Sequence, residues 1–135
     1  MTTWQIADDL KQLARAVINA RDEVAHINPD DVLFLRQYED IGGKALARCF
    51  STVGHPIGYF ERRKFIIVFY ALRTDDLTPQ QSALLILHEL LHIPAIGDKL
   101  IDHDIKDFCR VLAAADYDYG WAEPGANVPD ILKGE

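Results

Sequence analysis

Thr78-Pro79-Gln80-Gln81-Ser82-Ala83-Leu84-Leu85-Ile86-Leu87-His88-Glu89-Leu90-Leu91-His92-Ile93-Pro94 reads as one helix with a defined beginning, a buried body and an abrupt end. Thr78 is placed to act as N-cap, Pro79 falls at the first helical position where a missing N–H costs nothing, and Gln81 closes a capping box. From Ala83 to Ile93 the residues outside His88, Glu89 and His92 are all apolar, which predicts a helix buried on most sides. Pro94 pushes the residue before it out of the helical region and stops the run. Within this helix His88-Glu89-Leu90-Leu91-His92 is an H-E-x-x-H pattern. Residues four apart lie on one face, about 6 Å apart along the axis, so both imidazoles can reach one divalent ion. Glu89 is rotated by about 100° from His88, beside such an ion and suited to act as a general base toward water. A buried carboxylate and two buried imidazoles need partners, and a metal supplies one where the bland alternative is histidines hydrogen-bonded in a core.

Beyond Pro94 the chain turns through Ala95-Ile96-Gly97-Asp98 and reaches Asp102-His103-Asp104-Ile105. Asp102 is a plausible N-cap for a following helix, with Ile105, Phe108, Leu112 and Ala115 near helical spacing. His103 lies eleven positions past His92 and is the preferred third ligand, leaving a fourth tetrahedral position to water. Asp102, Asp104 and Asp107 are its rivals, each also readable as a helix N-terminal charge or a group orienting a histidine.

The run HELLHIPAIGDKLIDHDIKDF resembles the motif of the phage-type metallopeptidases, small zincin-like proteins in which HELxHIP is followed, after a loop, by a second histidine-bearing segment. More distantly it is similar to the SprT-like proteases. The resemblance is specific over about residues 78–109 and looser over 30–77. It implies zinc held by His88, His92 and His103, Glu89 as catalytic base, and a peptide or protein substrate. The chain departs from the pattern in carrying Asp98, Lys99 and Asp102 where the loop is otherwise glycine-rich.

The rest of the chain predicts a single α+β domain spanning 1–135, which the resemblance implies is zincin-like in outline. Residues 4–25 place Ile6, Leu10, Leu13, Ala14, Val17 and Ile18 at helical spacing between charged residues, an amphipathic helix that Asn28-Pro29-Asp30-Asp31 breaks. Val32–Leu35 reads as a strand, Ala45–Phe50 as a second that alanine leaves ambiguous with helix, and Lys64–Leu72 as the clearest strand. About three strands in a small, mainly antiparallel sheet are therefore expected, followed by the H-E-x-x-H helix and one more helix. By analogy with zincin-like folds the strand before that helix edges a cleft and can pair with an extended peptide; the alternative is a central core strand. Residues 116–135, rich in Asp, Tyr, Gly, Pro and Asn, read as a covering segment or tail.

At 135 residues the chain can bury a sizeable core without staples. Cys49 and Cys109 form no C-x-x-C pair and read as buried or free thiols rather than a disulfide. The start has no basic region followed by an apolar run, and no segment suits a bilayer span, so a cytoplasmic protein is expected. A net charge of −7 argues against binding nucleic acid through phosphates, and Arg62-Arg63-Lys64 reads as a solvated turn. His55, Tyr117 and Tyr119 are polar groups available to assist an oxyanion, each readable also as structural. The chemistry expected is metal-assisted hydrolysis of a peptide bond. Two other classes stay open: a zinc-dependent endoribonuclease-type hydrolase, and a non-catalytic zinc-binding regulatory module in which Cys109 closes the fourth position. Oligomeric state is not legible.

Overall fold

The computed structural model describes residues 4–39, 45–52, 61–97, 99–101 and 129–132. Strand β1 (Trp4–Ile6) leads into helix α1 (Asp8–Ala20), two 3-10 turns, strands β2 (Val32–Gln37), β3 (Ala47–Ser51) and β4 (Phe65–Tyr70), the short helix α2 (Ala71–Thr74), and helix α3 (Pro79–Leu90). The architecture is α+β, as expected.

The helix expected over 4–25 is divided. Its first residues form β1, which pairs antiparallel with β2 in the register Trp4↔Gln37 to Ile6↔Leu35. Ile6 stands four residues before Leu10, so helical spacing alone runs through both elements; the free edge of β2 decides the matter by offering ladder partners to 4–6. A hydrogen bond from Ala7 N to Phe34 O then starts the turn into α1. The helix carries Asp8 and Asp9 in its first turn, where negative charge suits the macrodipole, and buries Leu10, Ala14, Val17 and Ile18. Arg36 of β2 holds Asp9 through both carboxylate oxygens at 2.6 and 2.8 Å. That guanidinium contact keeps the Asp9 carboxyl below its ordinary pKa, against a smaller opposing effect of burial. Beyond Ala20 the 3-10 turn Asp22–Val24 replaces the helix, and a second, Pro29–Asp31, is capped by the Asn28 side chain accepting from Asp30 N.

Among the described residues the sheet has four strands in the order β1-β2-β4-β3 and is mixed, not mainly antiparallel. β2 and β4 run parallel at its centre, while β1 and β3 flank them antiparallel. The parallel pair arises because the chain goes out from β2 to β3, reverses, and inserts β4 between them, so two reversals restore the original direction. β4 is therefore the central core strand, not the cleft edge, and all six of its residues are buried. Its continuous apolar run has the form of a strand covered on both faces. Phe65, Ile67 and Phe69 join Val32, Phe34 and Cys49 in the core beneath α1 and α3, whereas Ile66, Val68 and Tyr70 form a second cluster with Leu33 on the opposite face. The ambiguous alanine-bearing segment is a strand. Thr52 closes the β3–β4 pair by donating its hydroxyl hydrogen toward the Arg63 and Lys64 carbonyls, at 2.9 and 3.1 Å.

α3 begins as its sequence predicts. Gln81 N donates to Thr78 Oγ1 at 3.1 Å and Thr78 N donates to Gln81 Oε1 at 2.9 Å. Removing the hydroxyl strands one helix-end donor, so Thr78→Ala is expected to lower stability by about 1 kcal/mol, measurable as a lower urea midpoint at unchanged slope. α3 packs on α1 and on β3 and ends two residues past His88. That end differs from expectation in one respect: the regular helix stops at Leu90, and His92 lies beyond it. Leu91 N still donates to Leu87 O, but His92 N donates to Glu89 O, a contraction into a tighter last turn. Pro94 accounts for this, since Ile93 cannot stay helical before it. The following turn uses Gly97 at φ 87, a left-handed position that glycine occupies without penalty.

Cys49 is buried and free. Ile131 is buried in the core on the helix side of the sheet, with Leu132 packed against it. The expected helix after Asp102, Cys109, and the 116–135 segment apart from residues 129–132 lie outside the described residues. Among the described residues no helix is long and apolar enough to cross a membrane.

Candidate metal centre

The end of α3 brings His88, Glu89 and His92 together. Their potential ligand atoms all lie within 4.8 Å of one another, a span that an ion about 2.1 Å from each donor nearly bridges. The two imidazole rings are 5.4 Å apart at their centroids and inclined by 67°, an edge-to-face arrangement. His88 Nε2 stands 3.8 Å from Glu89 Oε2. Glu89 is 3% exposed, within a helix whose buried residues are otherwise almost all apolar. A charged carboxylate at that depth is stabilised by a facing cation, and imidazole and carboxylate groups are donors to divalent metals. The residues present therefore fit a divalent metal.

β3 forms the wall beside Glu89. Cys49, on the helix-facing side of that strand, has its thiol pKa pushed up, chiefly by burial and further by the negative charge of Glu89. The thiol is thus held protonated, an unreactive neighbour and not a nucleophile.

On the other side, the segment leaving the helix folds back onto His92. Ile101 N donates to His92 O at 2.7 Å, and His92 Nδ1 lies 2.6 Å from Ile101 O. His26, from the middle of the connection between α1 and β2, places Nε2 at 3.0 Å from Ile93 O. Neither contact was anticipated from sequence. His26 carries no motif, and Ile101 acts through its backbone, which residue type does not advertise.

His103 and its rivals Asp102, Asp104 and Asp107 lie outside the described residues, as do His55, Tyr117 and Tyr119. Of the basic run Arg62-Arg63-Lys64, Arg63 is held by Glu61 at 2.7 and 3.0 Å while Arg62 and Lys64 are exposed, in keeping with a solvated turn.

A family model described as "Putative phage metallopeptidase" matches residues 2–133. No curated protein and no solved structure matches the chain.

Proposed function

The chain belongs to the phage metallopeptidase family, and on that premise we propose that it hydrolyses peptide bonds with a zinc ion held by His88, His92 and His103 and with Glu89 as general base. The observation that carries the reading is the convergence of His88, Glu89 and His92 at the end of a buried helix. In sequence His103 follows by two positions Ile101, whose amide is tied to His92 at 2.7 Å.

A bound zinc ion would supply Lewis-acid charge that polarises a carbonyl and lowers the pKa of water toward about 7. Glu89 takes the proton from the attacking water and passes it to the departing amine. Its burial excludes bulk water from competing for that proton, and the short helical offset from His88 keeps the carboxylate beside the ligands. Peptide chemistry is further supported by β3, a terminal strand among those described, which packs against α3. A terminal strand offers ladder hydrogen bonds to an extended chain, which polynucleotides cannot use. The net charge of −7 likewise disfavours a phosphodiester substrate. A cytoplasmic setting fits Cys49 as a free, buried thiol.

The test is to load the purified protein with zinc and assay unfolded protein substrates and RNA in parallel. Chelator-sensitive peptide cleavage with intact RNA is expected. RNA cleavage alone, or a zinc site closed by four protein ligands in X-ray absorption, would reject the proposal.

A further inference from the structure

A carbonyl oxygen can only accept a hydrogen bond. The 2.6 Å contact between His92 Nδ1 and Ile101 O therefore requires the proton on Nδ1. From this we infer that the backbone of Ile101 is the positioning group for His92, fixing its Nδ1–H form so that Nε2 carries the lone pair offered to the metal. The inference rests on His92 being a metal donor, as proposed above.

Three contacts together make the device. The carbonyl of Ile101 takes the ring proton, which orients the imidazole and raises its donor strength. The amide of Ile101 returns a bond to the carbonyl of His92 itself, so residue 101 grips both the side chain and the backbone of the same residue. At the near end of the intervening segment, His26 Nε2 meets Ile93 O at 3.0 Å. By the same logic that ring carries its proton on Nε2, the opposite form to His92. The chain from Ile93 to Ile101 is thus pinned at both ends against the histidine it must orient. Such fixing matters here because His92 has left the regular part of α3, where successive helical hydrogen bonds would otherwise hold its backbone. Ile101 is 45% exposed, so its apolar packing has little part in the arrangement.

Nitrogen-15 spectra of the full-length, metal-free protein labelled at histidine distinguish the two forms, because protonated and unprotonated ring nitrogens resonate far apart. On the alkaline side, where the spectra stop changing with pH, His92 is expected as Nδ1–H and His26 as Nε2–H. Titration with zinc is then expected to move the Nε2 resonance of His92 and leave its Nδ1–H in place. An Nε2–H form of His92, or zinc binding at Nδ1, overturns the inference. Ile101→Pro deletes the amide hydrogen and should weaken zinc binding by about 10–100-fold, whereas Ile101→Ala keeps both backbone bonds and should leave affinity unchanged. A folded Ile101→Pro protein with wild-type affinity also overturns it; if that variant does not fold, the wild-type spectra decide. Failure of the wild type to take up any zinc would reject the peptidase reading separately, since the form of the metal-free ring is read without the ion.

Discussion

Replacing Glu89 with glutamine is expected to reduce kcat for peptide cleavage by about 10²–10⁴-fold while zinc content stays at the wild-type level. The two side chains have nearly the same shape, and the amide retains an oxygen at the same place, so packing of the 3%-exposed position is preserved. What is lost is the ability to take a proton from water. The neutral amide also costs less to bury than a carboxylate, so stability should not fall. Zinc content is the discriminating companion measurement, because a Glu89 oxygen belongs to the group of potential ligand atoms lying within 4.8 Å of one another. If the variant loses both metal and activity, Glu89 is a ligand and the base must be sought elsewhere. If it keeps zinc and full turnover, Glu89 has no part in proton transfer. Substrate affinity should change little, since the carboxylate acts on water and not on the peptide.

The parts of this molecule that could be read before folding are those fixed by neighbours in sequence. The Thr78–Gln81 capping box is a four-residue arrangement, and both of its hydrogen bonds form. The apolar run from Ala83 and the H-E-x-x-H spacing are likewise local, and they deliver three polar groups to one place. Strand order is not local. The insertion of β4 between β2 and β3 depends on which edges remain free after β2 forms, and periodicity carries no information about edges. The same blindness hid β1: Ile6 satisfies the spacing of the helix that follows, yet the free backbone of β2 claims it. Pro94 was legible as a stop, but its effect reached further back than a stop after His92, tightening the turn so that the second histidine sits past Leu90. The grip of Ile101 on His92 escaped because a backbone carbonyl is present at every residue, and only the fold selects which one is used.

Metal dependence has the largest expected consequence for the protein as a whole. Zinc at a hundredfold excess over its dissociation constant should stabilise the folded chain by about 2.7 kcal/mol, provided the unfolded chain does not bind it. For a domain of this size that corresponds to a rise in Tm of about 10 °C, reversed by a chelator. His88→Ala should abolish both this rise and peptide cleavage, because His92 and the proposed His103 alone leave the ion one protein ligand short of the three that a catalytic site uses. His92→Ala should do the same, with an added release of Ile101 from its ring contact at 2.6 Å. The comparison must be made between metal-free and metal-loaded states of each variant. Truncating His88, whose side chain is 14% exposed, also removes packing in the metal-free protein, and that cost appears equally with and without zinc. The coupling between the substitution and the ion, read as the difference of the two Tm shifts, isolates coordination from packing. If zinc raised the Tm of His88→Ala as far as that of the wild type, the ion would be bound elsewhere, and the convergence of imidazoles at the end of α3 would be a feature of the core alone.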